Sequence, residues 1–158
     1  MNMNNIRRLL VLPAVSLFFS CVYSFQSGSF KGAVSIPPLE NKTNNADIER
    51  ILTEDLIDAF IKDGRVKIKP DGDYILNGVI TDYNRKVESY TSEGEIKEYR
   101  LMVKVKFSLA KISEEEPEWE KDIQESVVYP ISSDETEGVE SVASEIKDSL
   151  LRLMLESW

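Results

Sequence analysis

An almost unbroken alternation of apolar and polar residues over positions 96–111 is the feature that most restricts how this chain can fold. One alternating set is Tyr99, Leu101, Val103, Val105, Phe107 and Leu109, and the other is Glu98, Arg100, Met102, Lys104, Lys106 and Ser108. Successive side chains of a β-strand point to opposite faces of its sheet, so this stretch predicts a long strand with one buried face. An alternation this regular predicts a sheet that helices cover on one side only, with the other side left to water or to a partner.

Four shorter segments also have strand composition. They are residues 34–36, which Pro37 and Pro38 bring to an end, residues 66–68, residues 74–83, and a returning strand over residues 119–129. Gly78, inside the third of these segments, suggests a β-bulge. Residues 40–45 are polar and predict a loop.

Two stretches have the spacing of amphipathic helices. The first runs from Asn45 or Asp47 to Lys62 and stops at Gly64, and the second follows a cap at Ser132 or Ser133 and reaches the end of the chain. The first helix lies between two strands, which indicates a right-handed parallel crossover. The sequence therefore predicts an α+β fold of order β-α-β-β-β-β-α, in which two helices pack on one face of a mostly antiparallel sheet of four to five strands.

The N-terminus predicts export and a lipid anchor. Arg7 and Arg8 precede about a dozen apolar residues, which is too short a run for a membrane span and typical of a signal peptide. The run ends at Ser20 and Cys21, the chain's one cysteine, as in the lipobox of bacterial lipoproteins. We expect a signal peptide over residues 1–20, a lipidated tether over 21–33 beginning at Cys21, and one domain over 34–158, because several acyl chains anchor a protein stably.

The composition argues against catalysis. The chain has no histidine, so it has no Ser–His or Cys–His nucleophile pair and no imidazole metal ligand. Its many carboxylates fall in turns and at helix starts, where solvated acids are usual. A net charge of −9 makes nucleic acid an unsuitable partner. We therefore expect a binding protein with no cofactor and no metal site.

The polar face of the long strand is the candidate binding surface. Arg100, Lys104 and Lys106 follow one another along it, and Lys97, Arg85 and Lys86 are expected nearby. Cations that converge in an acidic protein could bind phosphate groups or an anionic partner. The alternative is that they are solvated side chains that protect a strand from aggregation.

Several segments together resemble one known family. They are Tyr23-Ser24-Phe25, Ile36-Pro37-Pro38-Leu39-Glu40-Asn41-Lys42-Thr43, Ile75-Leu76-Asn77-Gly78-Val79-Ile80-Thr81-Asp82-Tyr83, Glu98-Tyr99-Arg100 and Trp119. The chain is similar over nearly its whole mature length to the LptE family of lipopolysaccharide-assembly lipoproteins, particularly those of Bacteroidetes.

That resemblance implies a partner and a place. It implies an outer-membrane lipoprotein, anchored on the periplasmic face, that sits as a plug inside a large lipopolysaccharide-transport β-barrel, helps the barrel assemble and aids insertion of lipopolysaccharide into the outer leaflet. Basic side chains on the sheet would touch lipopolysaccharide, which corresponds here to Arg100, Lys104 and Lys106. The first half of the chain also resembles periplasmic lipoproteins that regulate peptidoglycan synthases or build secretion assemblies, which remain the alternative.

Overall fold

The computed structural model describes residues 32–156, and it contains one sheet of six strands and two helices. The elements are β1 (Ala33–Ser35), β2 (Glu40–Asn41), α1 (Asp47–Asp63), β3 (Lys67–Ile68), β4 (Tyr74–Tyr90), β5 (Ile96–Lys111), β6 (Pro117–Pro130) and α2 (Glu135–Glu156). The α+β class and the element order are confirmed, with one strand more than expected. The predicted signal peptide, Cys21 and most of the tether lie outside the described residues.

The additional strand is β2, within residues that were predicted as a loop. Glu40 and Asn41 pair in parallel with Val79 and Ile80 of β4. The N–H of Leu39 donates to the buried hydroxyl of Thr53 on α1, at 3.2 Å. The polar composition of this segment hid the strand, because its pairing depends on contacts with β4 and α1 that are distant in sequence.

The sheet has the order β3-β1-β4-β5-β6, and β2 pairs with β4 beside β1. β1 pairs in parallel with β3, which confirms the parallel connection predicted around α1. β4, β5 and β6 are antiparallel neighbours and form the long part of the sheet. β4 extends seven residues beyond its predicted end at Tyr83, because pairing with β5 holds a stretch whose own composition is polar.

The bulge that was predicted at Gly78 is elsewhere. Gly78 is in register with Phe107, and the pairing of β4 with β5 first shifts between Ile80 and Asp82. A side chain at position 78 would begin 2.9 Å from both Leu39 Cγ and Phe107 Cε1. Glycine is therefore needed there for close packing across the core.

Both helices pack on the same face of the sheet. Leu101, Val103, Val105, Phe107 and Leu109 of β5 are fully buried against them, whereas the residues between are intermediate or exposed. The buried helix positions are Ile48, Ile51, Leu52, Leu56 and Phe60 on α1, and Val139, Val142, Ala143, Ile146, Leu150 and Met154 on α2. Each large apolar side chain contributes roughly 1.5–3 kcal/mol by leaving water, so this layer stabilises the fold. The predicted assignment of the two faces of β5 is confirmed. Neither described helix is long and apolar enough to cross a membrane.

The cap at the start of α2 differs from the prediction. Asp134, rather than Ser132 or Ser133, accepts a hydrogen bond from the backbone N–H of Thr136, at 2.6 Å. Gly138 lies against the ring of Tyr129, where an added Cβ would be 2.7 Å from Cε1. Gly138 therefore lets the first turn of α2 approach β6, although glycine lowers intrinsic helix stability.

We predict that Gly138→Ala destabilises the protein by about 1–2 kcal/mol, because overpacking against Tyr129 exceeds the gain of about 1 kcal/mol in helix propensity. Chemical denaturation measures the free energy of unfolding. The matched control is Ser141→Ala, an exposed position on the same helix that should be neutral or slightly stabilising. A more stable Gly138→Ala variant would show that Tyr129 can move aside at little cost.

Candidate functional site

The sheet has a broad face that no helix covers. This open face comprises Asn84, Lys86 and Glu88 of β4, Arg100, Met102, Lys104, Lys106 and Ser108 of β5, and Glu120, Asp122, Gln124, Ser126 and Val128 of β6. The register places Lys86, Arg100 and Val128 side by side across the three strands. The structure thus brings Arg100, Lys104 and Lys106 together on one surface, as their spacing predicts.

Each of these three cations has a carboxylate partner on a neighbouring strand. Arg100 forms a bidentate ion pair with Glu88, in which Nε and Nη2 each donate to a carboxylate oxygen at 2.7 Å. Lys104 Nζ lies 2.7 Å from Asp122 Oδ2, and Lys106 Nζ lies 3.1 Å from Glu120 Oε2. The open face is therefore a lattice of alternating charges, not a bare basic patch.

The ion pairs alter the ionisation of their acids. The hydrogen bond from Lys104 lowers the pKa of Asp122 below its ordinary value, and the hydrogen bond from Arg100 does the same to the pKa of Glu88. These groups are well exposed to solvent, so water and salt weaken the attraction and each pair contributes little to stability. Their main effect is to fix the positions of charges on the surface.

Arg85 lies on the opposite side of the sheet from these cations. Its guanidinium carbon is 3.7 Å from the ring centroid of Tyr99, and its Nη1 is 3.3 Å from Glu135 Oε2 at the start of α2. The irregularity between Ile80 and Asp82 shifts the alternation of β4 by one residue, so Arg85 faces the helices. Lys97 is also out of phase with Arg100 on β5, whereas Lys86 shares the open face.

Arg85 belongs to a cluster that the sequence did not reveal. The hydroxyl of Tyr83 donates to Glu135 Oε1 at 2.6 Å, and Tyr99 and Tyr129 pack with ring centroids 6.0 Å apart. Burial, followed by the hydrogen bond to Glu135, raises the pKa of Tyr83 above its ordinary value. This cluster connects the start of α2 to β4, and so it holds β4 and its antiparallel neighbour β5 against the helices. In the sequence, Glu135 is one of several acids at the start of a predicted helix, where negative charge suits the helix dipole.

Comparison with known proteins gives one family and a recurrent fold. The model of the LptE family, described as lipopolysaccharide assembly, matches residues 32–156. No curated protein matches the chain in sequence.

Solved structures share the architecture at low sequence identity. A protein from Chlamydia trachomatis has a TM-score of 0.59 at 6% identity, covering 78% of this chain and 95% of that one. A protein from Xanthomonas campestris has a TM-score of 0.55 at 14% identity, covering 78% and 84%. A protein described as a lipoprotein from Caulobacter crescentus has a TM-score of 0.51 at 16% identity, covering 77% and 89%. At these identities the likeness establishes the fold alone.

We predict that Lys104→Met raises the pKa of Asp122 toward its ordinary value, because the substitution removes the donor that stabilises the carboxylate. Since the folded-state pKa of Asp122 is lowered, this pair favours folding at neutral pH and loses that effect as the pH falls through the lowered pKa. Carboxyl-carbon NMR titration measures the shift. Lys121→Met, on the same strand as Asp122, should leave the pKa of Asp122 unchanged, and an equal shift in both variants would contradict the pairing.

Proposed function

Because the chain belongs to the LptE family of lipopolysaccharide-assembly proteins, we propose that it is an outer-membrane lipoprotein that plugs a lipopolysaccharide-transport β-barrel. In this role it helps the barrel assemble and aids the insertion of lipopolysaccharide into the outer leaflet. It acts by binding and not by catalysis.

The uncovered, charged sheet face is the observation that carries this proposal. Three strands present charged and polar side chains there, and the cations and carboxylates alternate across the strands. The interior of a large transmembrane barrel is itself polar, whereas its lipid-facing exterior is apolar. A face of this composition suits contact with a barrel interior and is unsuited to contact with acyl chains.

Lipopolysaccharide contact is proposed for Arg100, Lys104 and Lys106. An incoming phosphate would compete with Glu88, Asp122 and Glu120 for these cations. Such exchange is possible because the pairs are exposed, and because phosphate offers several strong acceptor oxygens to a guanidinium or ammonium group. Lys97 and Arg85 were also proposed as contacts, but Arg85 would first have to leave Glu135 and Tyr99.

The lipid anchor is proposed at Cys21. Gly32, where the described residues begin, lies eleven positions after Cys21. An extended chain spans at most about 3.6 Å per residue, so this tether could reach at most about 40 Å. The domain could then enter a barrel while its acyl chains stay in the periplasmic leaflet.

We predict that the full chain, purified with mild detergent from its native membranes, recovers a large β-barrel in near-equal amount. Lys104→Glu with Lys106→Glu should lower that recovery about tenfold, because both substitutions place carboxylates beside Glu120 and Asp122. The measurement is quantitative mass spectrometry of the purified complex, together with thermal unfolding of each variant.

The control variant carries Lys67→Glu and Lys69→Glu, which make the same change in charge on exposed residues of the β3 segment. It should recover the barrel normally. Recovery of a peptidoglycan synthase or a secretion component in place of a barrel would favour the alternative role. Global unfolding of the Lys104 and Lys106 variant would refute the assignment of those side chains to the surface.

We predict that Cys21→Ala leaves the protein without acyl chains and releases it from membranes into the soluble fraction. The physical reason is that two or more acyl chains hold a protein on a bilayer far more firmly than one, and none would remain. Labelling with a palmitate analogue and membrane fractionation measure the two effects, and Ser20→Ala, which keeps a small residue before Cys21, is the control. Label that persists in Cys21→Ala would place the anchor elsewhere.

A further inference from the structure

β6 lies at an edge of the sheet, because it pairs with β5 on one side and no described strand pairs with its other side. An edge strand presents unpaired backbone N–H and C=O groups, to which another extended chain can add as a further strand. β6 has 14 residues, whereas β3 at the opposite edge has 2. β6 therefore offers a much longer edge for such an addition than β3 does.

The register shows which backbone groups of β6 point away from β5. In an antiparallel pair, the N–H and C=O of one residue point to the same side, and successive residues alternate. The N–H of Ile131 donates to the Lys97 carbonyl at 3.0 Å, and the register is unbroken from Trp119 to Tyr129, so the odd-numbered residues bond to β5. The even-numbered residues point outward and form the outer edge of β6: Glu120, Asp122, Gln124, Ser126 and Val128.

The outer edge of β6 is accessible. Its five residues are all exposed, whereas Ile123 and Tyr129 on the same strand are buried. No hydrogen bond within residues 32–156 uses the backbone groups of these five residues. Prolines and bulges protect edges from pairing, and β6 has neither between Trp119 and Tyr129. At about 3.3 Å per residue, a stretch of about 26 Å is open to a further strand.

The charges of β6 determine which strand fits this edge. Lys121 is the strand's one cation among four acids, and residues 114–116 before it are three more glutamates. The four acids of the strand are Glu118, Glu120, Asp122 and Glu125. Opposite charges on neighbouring strands attract, and like charges directly opposite each other repel. A basic strand is therefore favoured over an acidic one, and over a second copy of β6, which brings the same excess of carboxylates.

Glu120 and Asp122 can each bind a second cation. Lys106 and Lys104 contact them from the β5 side, and the two acidic side chains stay 50% and 51% exposed. An ionised carboxylate has two acceptor oxygens and several lone pairs, so one lysine does not exhaust it. Cations on an added strand would continue the alternation of the open face, in which cations of β5 lie beside carboxylates of β6.

The two faces of the sheet set the pattern of the added strand. Residues directly opposite the outer edge of β6 would have their side chains on the open face, beside Glu120 and Asp122. The residues between them would lie on the helix side, next to Ile123 and Val127. The fitting segment thus alternates basic residues with β-branched or other apolar residues.

We propose that the outer edge of β6 binds an extended segment of a partner protein, in which lysine or arginine alternates with β-branched or apolar residues. Backbone hydrogen bonds hold the segment, and the carboxylates of β6 select its charge. A closed barrel wall has no free edge, so the segment belongs to a part of the partner outside such a wall. The inference rests on the proposed function only for the identity of that partner.

Amide hydrogen exchange of the full chain in mild detergent, followed by NMR, tests this proposal. The probe is a nine-residue peptide of alternating lysine and threonine with blocked ends, and its control has glutamate in place of lysine. In the free chain, the amides of the outer edge of β6 should exchange faster than those of the odd-numbered residues between them. The lysine peptide should slow these five amides at least about tenfold, and the glutamate peptide should leave them unchanged.

Variants separate the backbone contribution from the charge contribution, with peptide affinity measured by fluorescence anisotropy. Gln124→Pro removes one outward N–H and keeps the bonds to β5, so it should weaken binding at least about tenfold, whereas Gln124→Thr should bind normally. Glu120→Gln with Asp122→Asn should weaken binding about fivefold. Glu93→Gln with Glu95→Gln makes the same charge change in the turn before β5 and should have no effect.

A modified peptide keeps the test decisive if Gln124→Pro does not fold. N-methylation of alternate amides of the lysine peptide removes the donors from the partner's side, and it should abolish binding to the unmodified chain.

Four results would overturn the proposal: equal affinity for the two peptides, no slowing of the five amides, binding that survives both Gln124→Pro and N-methylation, or a free chain that sediments as a dimer with these amides already slow. The last result would assign the edge to a second copy.

Hydrogen exchange in the complex purified from native membranes separates this inference from the proposed function. If the five amides are slow in that complex and the partner is not a β-barrel, the inference stands and the proposed function fails. If a barrel copurifies and the five amides exchange as fast as in the free chain, the proposed function stands and the inference fails.

Discussion

The burial of one side of β5 is the constraint on which the rest of this structure depends. Five apolar residues on one side, from Leu101 to Leu109, are fully covered, and the residues that alternate with them are more exposed, so both helices must lie on the same side of the sheet. A helix on the other side would bury Lys104 and Lys106 together with their carboxylates, and the desolvation of these charges would oppose the packing. The half-covered sheet and the charged open face thus have one physical origin.

This constraint also explains which parts of the fold could be predicted. The faces of β5, the stripes of both helices and the stop at Gly64 follow from local periodicity and backbone preference, which the sequence displays directly. β2 and the last seven residues of β4 could not be predicted, because they are polar stretches that are held extended by pairing. β2 pairs with a strand distant in sequence, and the end of β4 pairs with the following strand β5. Gly78 suggests a bulge in the sequence, but Gly78 and Gly138 are both sites where a neighbouring side chain leaves no room for a Cβ.

The candidate site could also be predicted only in part. Spacing alone placed Arg100, Lys104 and Lys106 on one face, because alternation within a strand is a local property. The pairing of Lys104 with Asp122 depends on the register between β5 and β6, which periodicity does not specify. Arg85 was displaced to the opposite side by a single irregularity in β4, and its position next to Tyr99 and Glu135 depends on how α2 docks.

A surface of pre-formed ion pairs has consequences for recognition. When a partner brings its own charges, each cation exchanges one carboxylate for another or for a phosphate, and the number of pairs changes little. The net affinity from such exchange is small, but a partner in the wrong register would set like charges against each other at a cost of several kcal/mol. The open face is therefore better suited to selecting orientation than to supplying affinity. Affinity would come from apolar contacts elsewhere on the molecule.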